Sequence, residues 1–148
     1  MTRMLIEYIV VYILAVIGIA LLENFLHVPN SSVILASIFA SAGYVGQSYV
    51  KRHKKMPNKG LRFKLAIYTA LIQLFVFAVS IPVYIYAPGD DPEMQMVANA
   101  LGMPWLLITA LSTATVLHVL MVFFSVYLGG RYEMNKQDIA AAKAKAKG

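Results

Sequence analysis

KRHKKMPNKGLRFKLAIYTALIQLFVFAVSIPVYIY, Lys51 to Tyr86, opens with seven cations in fourteen residues and continues through twenty-two residues that carry no charge. At 1.5 Å of rise per residue such an uncharged helix reaches about 33 Å, enough for a hydrocarbon core of about 30 Å. A cluster of Lys and Arg against the end of an apolar helix is the sequence form of a membrane boundary on its cytoplasmic side.

Outward from it, three more apolar windows appear: Ser31 to Val50 directly before the basic loop, Met4 to Phe25 before that, and Trp105 to Leu128 after it. With Leu65 to Tyr86 they predict four transmembrane helices, 4–25, 31–50, 65–86 and 105–128. The whole chain agrees: 59% of its 148 residues are hydrophobic and 14% are charged, against about 25% charged in soluble domains. The expected fold is an all-α membrane protein, a compact four-transmembrane-helix bundle over residues 1–130, followed by a basic cytoplasmic tail over 131–148. The first window carries one early cation, Arg3, a longer apolar stretch than a signal peptide needs, and no small-x-small pattern after Leu22, so it reads as a retained helix. The absence of Cys excludes disulfides, iron–sulfur clusters and thiol redox chemistry.

All 13 cations fall before the first helix, between the second and third, or after the fourth, while the loop 87–104 holds Asp90, Asp91 and Glu93. Both termini are therefore expected in the cytoplasm. Within that acidic loop, Asp91-Pro92-Glu93 reads as a helix start and Gly102 as its stop, predicting a short interfacial helix in the second periplasmic loop. The pair Met94 and Met96 in this segment has thioethers that suit Cu(I), but Met94 belongs to its apolar face with Val97, Ala98 and Leu101, and membrane contact is the reading. Pro82 removes the donor for the Ala78 carbonyl and predicts a kink.

Helices gain no hydrophobic energy from one another inside lipid, so small and polar residues are expected on their facing sides. The stripes read as Glu7, Val11, Ala15, Gly18 and Leu22; Ala36, Ala40, Gly43 and Gln47; Thr69, Gln73, Val76, Ser80 and Val83; and Ser112, Thr115, His118, Val122 and Ser125. His118 is the foremost functional candidate, since an ionisable side chain deep in a span marks a site. Gln73 and His118 lie eight and ten residues from the inner ends of their windows, roughly 12 and 15 Å deep. Gln73, Ser112, Thr115 and His118 are the expected intramembrane polar site, either a ligand or proton site or a hydrogen-bonded pin between two helices. Glu7, one turn inside the first helix, can snorkel or meet Gln47 or a cation at the end of the second.

The cations Lys51, Arg52, Lys54, Lys55, Lys59, Arg62 and Lys64 fix topology and are expected to contact anionic headgroups, at about 1 kcal/mol each. No nucleic-acid-binding module accompanies them, so no nucleic-acid partner is expected. His27, His53 and His118 lie at three different depths, which gives haem no axial pair. No catalytic residue, metal or cofactor is expected, and the partners read as membrane lipids with a membrane protein or a second copy of the chain.

Ala42-Gly43-Tyr44-Val45-Gly46-Gln47-Ser48-Tyr49-Val50-Lys51, the basic run ending in Pro57, and Leu61-Arg62-Phe63-Lys64-Leu65-Ala66 together resemble small bacterial four-span inner-membrane proteins of the AciT ciprofloxacin-tolerance type. The likeness covers about residues 40 to 75. Proteins of this type often carry an acid three or four residues after the Pro, where this chain has Lys59-Gly60-Leu61. The resemblance implies a multi-pass protein of the bacterial inner membrane that affects envelope permeability or drug tolerance, without catalytic residues to carry over. A small transporter using the Gln73 and His118 region is the alternative.

Overall fold

The computed structural model describes residues 1–26, 30–86, 95 and 102–146, and among these every extended element is helical. Four helices follow one another: α1 (Thr2–Leu26), α2 (Asn30–His53), α3 (Lys59–Tyr86) and α4 (Pro104–Lys145). The expected interfacial helix and the Met94 and Met96 pair lie outside the described residues.

Local chemistry sets the helix ends. Lys54 turns α2 off in the left-handed conformation, φ 53°, with its N–H donating to the Val50 carbonyl at 2.8 Å. Asn58 then caps α3, its side-chain oxygen accepting from the Leu61 N–H at 2.7 Å. Pro104 occupies the first turn of α4, where its missing N–H costs nothing. The Thr109 and Thr115 hydroxyls donate back to the Trp105 and Leu111 carbonyls of their own helix, so neither residue leaves a bare donor.

Around the bundle the helices run α1, α2, α4, α3, with α1 only lightly touching α3. The broadest contact joins α2 to α4. Gly43 faces Ser125 and Gly129 while Gly46 faces Val126 and Gly130, so the register advances in one direction and the two helices are parallel. Their backbones are very close. A Cβ built on Gly46 would stand 2.1 Å from the Val126 carbonyl oxygen, and one on Gly129 would stand 2.0 Å from the Gly43 oxygen. No side chain fits at either place, and this is how small residues let helices associate in lipid. Gly130 leaves the space in which Met56 of the α2–α3 loop packs.

The core gathers Met4 and Tyr8 of α1, Ile38, Ala42 and Val45 of α2, Leu65 and Ala66 of α3, and Val122 and Val126 of α4. These residues lie near the ends that bear the cations. Burial thins toward the opposite end, where Leu14, Phe75 and Ile108 are 63%, 70% and 64% exposed. Large apolar side chains facing outward around the bundle invert the pattern of a soluble protein. Among the described residues, two helical segments, Lys59–Val79 and Pro104–Lys145, are long and apolar enough to cross a membrane.

Helix α4 runs unbroken for 42 residues, about 63 Å, so it continues past residue 130 into the basic segment. One expectation changes. On α2 the stripe is displaced: Ala36 and Ala40 are exposed, and the buried face comprises Ser37, Ile38, Ser41, Ala42, Val45, Gly46 and Val50. Four-residue spacing recurs on either face, and Val126 and Gly130 of α4 select the one that contains Gly46.

Candidate functional site

Helices α3 and α4 meet through two polar contacts and then part around a cleft. Nearest the cationic end, Arg62 is 8% exposed, with its guanidinium 4.5 Å from the centroid of Phe123 and 5.0 Å from that of Tyr127. Both rings offer their negative faces to the cation. Arg131 donates to the Tyr127 hydroxyl at 2.7 Å from the other side. Arg62 is thereby withdrawn from the surface, unlike its lysine neighbours.

Two turns farther along α3, Thr69 meets His118. The Thr69 hydroxyl donates to the Ala66 carbonyl at 3.0 Å, so its oxygen is left to accept from His118 Nε2, 3.1 Å away. This network places the imidazole proton on Nε2 and leaves Nδ1 as an acceptor; Nδ1 is buried and has no hydrogen-bond partner among the described residues. The polar pin therefore exists on the expected helices, but its acceptor is Thr69 and not Gln73.

Beyond His118 the helices enclose a cleft of about 370 Å³. Leu74 and Phe77 of α3 face Leu106, Leu107 and Leu111 of α4, and Ala70, Ala110 and Ala114 create the width. Gln73 stands at the lip with its side chain exposed, Thr115 lines the wall and His118 the floor. Of the four residues expected to form a polar site, the cleft brings together Gln73, Thr115 and His118. Ser112 is exposed and is not part of the lining.

The second functional surface is the basic loop. Lys51, Lys54, Lys55, Lys59 and Lys64 are exposed, whereas its two arginines are engaged within the fold. Arg52 grips Glu7 with both terminal nitrogens, at 2.5 and 2.9 Å, and Arg3 adds a third donor at 3.2 Å. Glu7 thus meets the cation expected at the end of α2 and ties that end to the start of α1. Sequence reasoning missed Glu133, which is 5% exposed and accepts a hydrogen bond from Gln137 at 3.1 Å. Its signal was its place, an acid set two residues after Arg131 at the start of a segment rich in cations.

Among the described residues, no three His, Cys, Asp or Glu side chains come together as a metal site. Comparison with protein-family models, with curated proteins and with solved structures yields no match to this chain.

Proposed function

We propose that this chain is a multi-pass protein of the bacterial inner membrane, that all four helices span the bilayer, and that both termini are cytoplasmic. On this reading it acts without catalysis and influences envelope permeability or antibiotic tolerance through contacts with anionic lipids and with a membrane-protein partner or a second copy of itself. The carrying observation is that a bundle with outward-facing apolar side chains gathers its cations at one end. The AciT-type resemblance over residues 40 to 75 supplies the link to tolerance. Reporters fused after Met134 are expected to read cytoplasmic and those inserted near Gly89 periplasmic. A periplasmic reading after Met134 would reject the arrangement.

The cleft favours a second reading, a small transporter in which Gln73, Thr115 and His118 contact the cargo. Substrate-dependent flux into proteoliposomes, abolished by filling the cleft, would put this reading first. Unchanged flux in the filled variant would remove it.

A further inference from the structure

Gln73 lies eight residues beyond Leu65, so in a membrane-spanning α3 its amide stands roughly 12 Å inside the hydrocarbon. The side chain is exposed and makes no hydrogen bond among the described residues. A primary amide at that depth is costly until its donors and acceptor are met, because hydrocarbon offers it nothing. Gln73 also marks the mouth of a void made by Ala70, Ala110 and Ala114, at positions where larger apolar residues would close the gap. At the floor, His118 is 6% exposed and holds an unpartnered Nδ1 acceptor. A volume of about 370 Å³ falls within the roughly 300 to 1,000 Å³ of small-molecule sites.

We propose that this cleft binds a neutral, membrane-dissolved molecule with an apolar body and one hydroxyl group, of the phenol type, entering sideways from the bilayer. The hydroxyl donates to Gln73 Oε1 and accepts from Gln73 Nε2, while the body lies among Leu74, Phe77, Leu107 and Leu111. Among the described residues the lining carries no charged side chain, which selects a neutral guest. The proposal rests on the membrane-spanning reading of α3 and α4.

Trp105, the single Trp of the chain, adjoins the cleft residues Leu106 and Leu107 and is a built-in reporter. The full chain in nanodiscs of phosphatidylethanolamine and phosphatidylglycerol is titrated with para-bromo-hydroxybiphenyl, whose heavy atom quenches indole fluorescence. A saturable quenching component is expected above the linear one produced by probe dissolved in lipid. Ala110→Leu with Ala114→Leu abolishes the saturable component, while Gln73→Leu, at an exposed site, weakens it about five-fold, the scale of one lost hydrogen bond. Bromobiphenyl, which lacks the hydroxyl, binds wild type and Gln73→Leu alike. Purely linear quenching of the wild type, or a saturable component that survives the double filling, overturns the proposal. So does quantitative disulfide cross-linking of Gln73→Cys in native membranes, which would show a second copy meeting this amide. Alkaline carbonate extraction of the same membranes separates the two failures: a released chain ends the membrane reading itself, whereas a retained chain without saturable quenching ends only the cleft site.

Discussion

Thr69 spends its hydroxyl proton on the Ala66 carbonyl, which leaves it only an acceptor for His118. The contact therefore fixes a tautomer as well as a distance between helices. A double-mutant cycle with Thr69→Val and His118→Leu is expected to show a coupling of about 0.6 to 2 kcal/mol, the range of interhelical bonds in membranes. Unfolding in detergent micelles measures it, and a coupling indistinguishable from zero would mean the bond does not form. Sequence reasoning found the residue and the two helices but chose Gln73 as the partner. Thr69 and Gln73 share one face of α3, one turn apart, and nothing in the sequence sets how far α3 slides along α4. The same limit hid Arg62, whose place between Phe123 and Tyr127 depends on rings about sixty residues away. The Glu7 and Arg52 contact was legible because both lie at helix ends on one membrane face, where only a few cations are within reach.

Between α2 and α4 the decisive quantity is the distance between backbones, and the glycines measure it. Gly46→Ala and Gly129→Ala each place a methyl group against a carbonyl at about 2 Å, so the helices must separate or shift. Each substitution is expected to cost about 1 to 3 kcal/mol, the range of overpacking, or to stop the bundle from forming. Gly43→Ala is the matched control, because its Cβ would meet the Ser125 oxygen at an ordinary 3.9 Å. It is expected to be neutral or to gain up to about 1 kcal/mol of helix propensity. Thermal midpoints of the three purified variants check this order, and Gly43→Ala falling as far as Gly46→Ala would show that the parallel crossing is wrongly placed. Helix identity was legible here, since long apolar windows admit few alternatives. The buried face was not: Ala36, Ala40, Gly43 and Gln47 form as regular a series as Ala42, Gly46 and Val50. Only a partner helix eighty residues away distinguishes them. Where α4 ends was not legible either, because hydropathy reports where lipid would end and not where a helix does.

For the whole molecule, the separation of arginine from lysine sharpens the test of cellular role. Guanidinium groups are weakly hydrated and bidentate, which suits the Glu7 clamp and the aromatic sandwich at Arg62, whereas ammonium groups stay in water. The fold therefore engages Arg52 and Arg62 and leaves Lys51, Lys54, Lys55, Lys59 and Lys64 on the surface. Replacing these five with Gln should preserve the bundle while removing attraction to anionic headgroups of about 1 kcal/mol per cation. If the protein acts on the envelope through those lipids, deletion shifts susceptibility to a fluoroquinolone and to a large antibiotic normally excluded by the outer membrane. Entry of a membrane-impermeant dye shifts in parallel, and the five-Gln variant fails to restore either once its insertion and orientation are verified. Full complementation by that variant would move the action away from the headgroups. Unchanged dye entry with altered efflux of one compound class would instead locate the function in the α3–α4 cleft, where Gln73→Leu should then reproduce the deletion phenotype although it leaves every surface cation in place.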